Sequence, residues 1–151
     1  MTDIPQPIEF EIFLNHEFAR IPMKAHPSDS GYDLFSCEHT VILSNQWKAI
    51  DTGIIFKIPP GYEIQIRARS GLALNKGIGL MNGIGTIDTN YTGLIKVILY
   101  NAGEYPFEIH PGDKIAQAVM CPVLNSVIKV IREIPKPTDR GRNGFGSTDK
   151  K

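Results

Sequence analysis

Four stretches of the chain combine residue types that could do chemistry on an anionic ligand. SDSGYDLFS, Ser28 to Ser36, sets Asp33 between apolar Tyr32 and Leu34. A carboxylate there is either a turn anchor or an acceptor for water held by a hard cation. RARSGLA, Arg67 to Ala73, delivers Arg69 and then breaks the chain at Ser70-Gly71. A guanidinium, a hydroxyl and backbone N–H groups at such a break suit an anion; the plain alternative is a solvated arginine before a turn. NGIGTIDTNYTG, Asn82 to Gly93, carries Gly83 and Gly85, which permit close approach of another molecule. Asp88 within it either caps the Thr89-Asn90 turn or faces a pocket as a general base for water. Tyr91 is packing or a platform for a sugar ring. PGDKIAQAV, Pro111 to Val119, sets Gln117 among Ile115, Ala116, Ala118 and Val119. An amide in that company bonds to backbone or donates to a ligand oxygen.

A fifth stretch, RGRNGFGSTDKK, Arg140 to Lys151, has no core of its own. Arg140, Arg142, glycine N–H groups such as that of Gly146, and the Ser147 and Thr148 hydroxyls suit a polyphosphate, and Phe145 suits a base. The spacing is not that of a Walker phosphate loop. Stacking a base on an aromatic is worth about 1–3 kcal/mol. Ordering ten residues costs on the order of 10 kcal/mol. Only a highly charged ligand adds enough to hold the segment down, so it reads as a lid that closes on its ligand.

The elements that must position these residues read as strands. Tyr62 to Arg69 alternates, with Tyr62, Ile64, Ile66 and Ala68 on one face and Glu63, Gln65, Arg67 and Arg69 on the other. Phe10 to Leu14, Val41 to Leu43, Ile50 to Ile58, Leu94 to Tyr100, Ile115 to Val123 and Val127 to Ile134 complete the set. Turn signals such as Pro59-Pro60-Gly61 and Asn101-Ala102-Gly103 separate them. Gly71 to Lys76 alone could hold a short helix. Many short strands at this spacing predict an all-β sandwich or jelly roll. Pro135 and Pro137 detach the tail, giving a body over residues 1–138 and an arm over 139–151. Open sheet edges and a tethered arm favour self-association.

Composition excludes several classes. Lysine plus arginine and aspartate plus glutamate stand at sixteen each, so no global field recruits nucleic acid or membrane. The chain is 42% hydrophobic and 21% charged, as expected of one soluble domain of 151 residues. Cys37 and Cys121 lack metal or redox spacing and read as small buried thiols in a reducing compartment. His16, His26, His39 and His110 are scattered, so spacing suggests no zinc site. The first ten residues lack the apolar run of a signal peptide, and no run is long enough to span a membrane. A cytoplasmic protein is expected.

Taken together, SGYDL, ARSGLA, NGIGTIDTNYTG, GDKIAQ and RGRNGFGST resemble, in order, the five motifs of the homotrimeric dUTPase family, from about Ala25 to Thr148. The resemblance implies a distorted jelly-roll β-barrel that trimerises, with the arm of one subunit closing over a site built by the other two. It implies a dUTP diphosphatase that produces dUMP and pyrophosphate, lowering dUTP to keep uracil out of DNA and supplying dUMP for thymidylate. Asp88 would activate the water that attacks the α-phosphorus. Asp33 would hold water of a Mg²⁺ shell. Arg69, Ser70 and Gly71 would bind phosphate oxygens, with Gln117 as a further donor. Asn82 and backbone of Thr86, Ile87, Asp88 and Lys96 would form the uracil slot, and Tyr91 would pack on the deoxyribose. Phe145 would stack on uracil, while Arg140, Gly146, Ser147 and Thr148 take the γ-phosphate. Ala68 stands at the usual proline position, and Asn143 and Asp149 replace glycines common in the arm. dCTP deaminase shares the fold but is disfavoured, because Leu94 to Tyr100 contains no glutamate for its chemistry. A non-catalytic nucleotide sensor is the remaining alternative.

Overall fold

Isoleucine supplies most of the interior. Ile42, Ile50, Ile54, Ile64, Ile66, Ile78, Ile95, Ile109 and Ile115 are all at most 2% exposed, and such β-branched side chains pack well on pleated surfaces. The computed structural model describes residues 7–136, 138, 139 and 141. β1 (Glu11–Leu14) pairs with β5 (Ile54–Lys57), and β3 (Thr40–Ile42) with β10 (Phe107–Ile109). β2 (Tyr32–Phe35), β11 (Lys114–Pro122), β6 (Tyr62–Arg67) and β8 (Gly85–Ile87) form a four-stranded sheet in that spatial order. β4 (Trp47–Asp51), β9 (Lys96–Asn101) and β7 (Ile78–Leu80) form a three-stranded one. Every pairing is antiparallel, and most neighbours are distant in sequence. The all-β architecture and the non-local pairing agree with the jelly-roll expectation.

The strand read from Ile50 to Ile58 is two strands in two sheets. It breaks at Gly53, whose φ of 67° is left-handed. A Cβ there would fall 2.7 Å from His16 Cβ and 2.9 Å from Ala19 Cβ, so both conformation and space require glycine. This corner moves the chain from the β4 sheet to the β1–β5 pair. Asn101, fully buried, fixes the opposite region: its amide donates to Ile42 O and Tyr105 O, both at 2.9 Å, while its oxygen accepts from Gly103 N–H at 2.9 Å. Among the described residues no buried side-chain polar atom lacks a partner, as close-packed interiors demand.

The expected short helix is α1 (Ser70–Lys76), ended by Gly77 in the left-handed region. The strand expected over Val127 to Ile134 is absent, because the last ladder bonds end with β11 and no strand edge pairs with the segment. Its apolar side chains stand in the open, with Val127 91%, Ile128 93% and Val130 85% exposed. β2, β7, β8 and β10 go beyond the strands read from sequence. Each has only three or four residues, too few for periodicity to register.

Candidate active site

The sequence pattern around Asp88 suggests a hairpin, but β8 and β9 belong to different sheets, and the loop that joins them builds a pocket of about 460 Å³ lined by Ala49, Thr86, Ile87, Asp88, Tyr91, Leu94, Lys96 and Ile98. That size suits a nucleoside. Five of the lining residues are ones the sequence singled out: Thr86, Ile87, Asp88, Tyr91 and Lys96. Ala49, Leu94 and Ile98 were missed. They carry no reactive group, and only the fold brings them to one apolar wall. Asp88 is exposed, and its carbonyl accepts from Tyr91 N–H at 3.0 Å, closing the turn. Turn anchoring thus falls to the backbone, which leaves the carboxylate free for the pocket. The Tyr91 hydroxyl donates to Leu94 O at 3.2 Å. Its ring lies over Gly93, where a Cβ would come within 2.6 Å of Tyr91 Cζ. Lys96 Nζ leans toward Asp51 Oδ2, 3.8 Å away on the neighbouring strand. Asn82 is exposed in the turn before β8 and is not among the pocket-lining residues.

A second cluster forms where β2, β11 and the end of β6 meet. Asp33 is a strand residue, not a turn anchor: β2 alternates it outward between Tyr32 and buried Leu34. Its Oδ1 lies 3.3 Å from Arg69 Nε and its Oδ2 2.7 Å from Lys114 Nζ. Arg69 Nη1 also donates to Lys114 O at 3.0 Å. Two cations around one carboxylate leave a net positive site beside the open Ser70-Gly71 step, where nothing would obstruct even a Cβ at Gly71. Gln117, directly opposite Asp33 in the ladder, donates to Ala68 O at 2.9 Å. The amide therefore takes the backbone partner in this arrangement.

Lys114 was not assigned a role from sequence, although it lies within GDKIAQ. Strict alternation sends residues three apart to opposite faces. The ladder shifts register between Lys114 and Ala116, making Ile115 an extra residue. Such a bulge re-aims side chains, and Lys114 reaches the Asp33 side along with Gln117. Consecutive burial of Ile115 at 1% and Ala116 at 0% was the available signal, but exposure is not visible in sequence. Gly31 was also passed over: a Cβ there would meet Gln117 Cβ and Cδ, each at 3.2 Å. Arg140, Phe145, Gly146, Ser147 and Thr148 lie outside the described residues.

The pocket and the cluster stand at opposite ends of β6. Ile87 faces Ile64, which places Asp88 beside Glu63, and Arg69 lies six residues farther along an extended chain. At about 3.3 Å per residue the two are about 20 Å apart. One chain thus offers two partial sites.

Comparison with known proteins gives these halves a common context. A sequence model of the dUTPase family matches residues 17–149. A deoxyuridine 5'-triphosphate nucleotidohydrolase of Clostridium kluyveri is 49% identical over 130 residues, 86% of this chain and 90% of the relative. One from Nautilia profundicola is 47% identical over 137 residues, 91% and 95% of the two chains. Among solved structures, a mutant dUTPase of Staphylococcus bacteriophage 80alpha with dUpNHpp superposes with a TM-score of 0.85. It is 25% identical, and the match covers 93% of this chain and 98% of that one. A mutant dUTPase of phage phi11 of S. aureus, described with a structural Mg(II) ion, superposes with a TM-score of 0.78 at 26% identity, covering 83% and 98%. With the family model spanning most of the chain and these relatives matched almost end to end, this protein belongs to the dUTPase family.

Proposed function

We infer that the protein hydrolyses dUTP to dUMP and pyrophosphate at a site assembled from more than one copy of the chain. The observation that carries this is the roughly 20 Å between Asp88 and Arg69 along β6. A base acting at the α-phosphorus and a guanidinium holding the phosphates must meet around one triphosphate. Two copies can bring the β8–β9 loop of one to the Asp33 cluster of the other. The exposed apolar side chains spread between Val123 and Ile134, among them Val127, Ile128 and Val130, support association, since large apolar groups left in the open favour packing on a partner. A homotrimer with three shared sites is the assembly that this reading adopts. Its arm, residues 139–151, closes each site with Phe145 on the base and Arg140, Gly146, Ser147 and Thr148 on the γ-phosphate.

Within the pocket, backbone of Thr86, Ile87 and Asp88 would read the uracil edge against the apolar wall of Ala49, Leu94 and Ile98, with Asn82 at the rim. Excluding a thymine methyl by wall contact is worth about 1–3 kcal/mol, whereas a mismatched hydrogen-bonding edge rejects cytosine more strongly. Tyr91, braced by Leu94 O, would pack on the deoxyribose. Asp88 would take a proton from the attacking water, a role that typically contributes about 10²–10⁴-fold. Arg69 and Lys114, with Ser70 and Gly71, would neutralise the phosphate oxygens. Gln117 can leave Ala68 O to donate to the same oxygens.

Asp33 fits a contact to Mg²⁺ through water rather than direct ligation. Both of its oxygens already face cations, yet a carboxylate offers about four lone-pair sites. The ion, held mainly by the triphosphate, would supply charge neutralisation. No helix among the described residues is long and apolar enough to cross a membrane; a cytoplasmic location belongs to the same reading.

The test is pyrophosphate release from dUTP with Mg²⁺. Wild type should be active, and Asp88→Asn should lose about 10²–10⁴-fold. A chain ending before Arg140 should fold but lose most activity. Full activity in Asp88→Asn would remove Asp88 from its role. Binding of dUTP without hydrolysis by wild type would favour a sensor.

A further inference from the structure

The histidines that look scattered in sequence are not all scattered in space. Thr40 faces Ile109 in the β3–β10 ladder, so one step farther sets His39 opposite His110. Their rings stack with centroids 4.8 Å apart and planes 25° from parallel. Glu108, two residues before His110, shares its face, while Ile109 between them is 0% exposed and points into the core. His39 Nε2 lies 2.9 Å and His110 Nε2 3.4 Å from the same oxygen, Glu108 Oε1. All three ligand atoms fall within 4.8 Å of one another. The other ring nitrogen of His110 lies 3.8 Å from Asp113 Oδ2, which also accepts the His110 backbone N–H at 2.8 Å.

We propose that His39, Glu108 and His110 form a binding site for a borderline divalent cation of the Zn²⁺ class, with water completing its shell. A hydrogen-bonded surface pair would need only one imidazole, whereas here two Nε2 atoms converge on one carboxylate oxygen. A tetrahedral ion with bonds of about 2.0–2.1 Å spaces its ligand atoms about 3.4 Å apart. The His110–Glu108 separation already matches. The His39–Glu108 separation reaches it by a small rotation of exposed side chains. Two imidazoles and one carboxylate suit Zn²⁺, Ni²⁺ or Co²⁺, whereas Mg²⁺ favours all-oxygen surroundings. Asp113 Oδ2, 3.8 Å from His110 Nδ1, needs only a small side-chain movement to accept from that nitrogen and orient a ligating imidazole. The site shares no residue with the nucleotide pocket or the Asp33 cluster. A bound ion would join the segment leading into β3 to the end of β10.

The experiment titrates full-length protein with ZnCl₂ by calorimetry in excess Mg²⁺, which keeps the outcome independent of the dUTP reading. Wild type should bind about one equivalent per chain and melt at higher temperature with Zn²⁺. His39→Asn and His110→Asn should each weaken binding by at least about tenfold, and Asp113→Asn by about tenfold through loss of orientation. A variant that does not fold is replaced by an NMR measurement on wild type. There, substoichiometric Co²⁺ should broaden the ring signals of His39 and His110 and spare those of His16 and His26. Absence of saturable Zn²⁺ binding, unchanged affinity in both folded histidine variants, or broadening confined to His16 and His26 would overturn the proposal.

Discussion

Because Asp88 and Arg69 are about 20 Å apart in one chain, two damaged chains should repair each other. Asp88→Asn removes the base and leaves the phosphate cluster whole. Arg69→Ala removes a guanidinium from Asp33 and from any phosphate, and leaves the β8–β9 loop whole. Each variant alone should be slower by about 10²-fold or more, the scale of a lost base or charge stabiliser. Mixed at equal concentration in denaturant and refolded together, the chains assort at random. A site that takes Asp88 from one chain and Arg69 from another then has even odds of an intact partner at each position. About a quarter of the sites should be whole, and the mixture should show about a quarter of wild-type activity. The double variant co-refolded with wild type gives an independent reading. It should also reach about a quarter of wild-type activity when sites are shared, but about half when each chain holds its own site. The assay is pyrophosphate release per total chain, beside a wild-type sample refolded in parallel. A single-variant mixture no better than the mean of its parts would refute the shared site, provided sedimentation shows mixed oligomers.

Two further outcomes follow from packing. Gly31→Ala drives a methyl into Gln117; overpacking of this kind should cost about 1–3 kcal/mol in denaturant unfolding, with a raised KM for dUTP as the amide is displaced from Ala68 O. Burial first, and the nearby Asp51 carboxylate second, push the Cys37 thiol above its ordinary 9.0. At pH 8 fewer than about a tenth of Cys37 thiols are therefore thiolate, and mass spectrometry should find Cys37 unalkylated by iodoacetamide in the native protein and fully alkylated in urea.

Legibility in the sequence followed the range of the interactions concerned. The alternation read from Tyr62 to Arg69 predicted β6 because burial repeats every second residue; the strand stops at Arg67, where α1 is about to begin, and Ile64 and Ile66 are indeed the buried ones. The turn from Asp88 to Tyr91 was legible from the local turn residues Thr89-Asn90, and the helix read over Gly71 to Lys76 forms over Ser70–Lys76. Val127 to Ile134 has the composition of a strand, yet composition provides no ladder partner. Candidates such as Asp88 and Arg69 could be named from their types, but Lys114 could not be placed beside Asp33. The apolar wall of Ala49, Leu94 and Ile98 could not be named, since nothing in those side chains signals a ligand.

The β class, the order of the reactive stretches and the likeness to a family rest on period, residue type and spacing along the chain, so they can be read without coordinates. Which of those residues meet depends on the fold. The bulge at Ile115 turns Lys114 onto Asp33, the corner at Gly53 splits one apolar run between two sheets, and β6 holds Asp88 and Arg69 apart. Each depends on the register between strands remote in sequence, where a shift of one residue exchanges the faces of every side chain that follows.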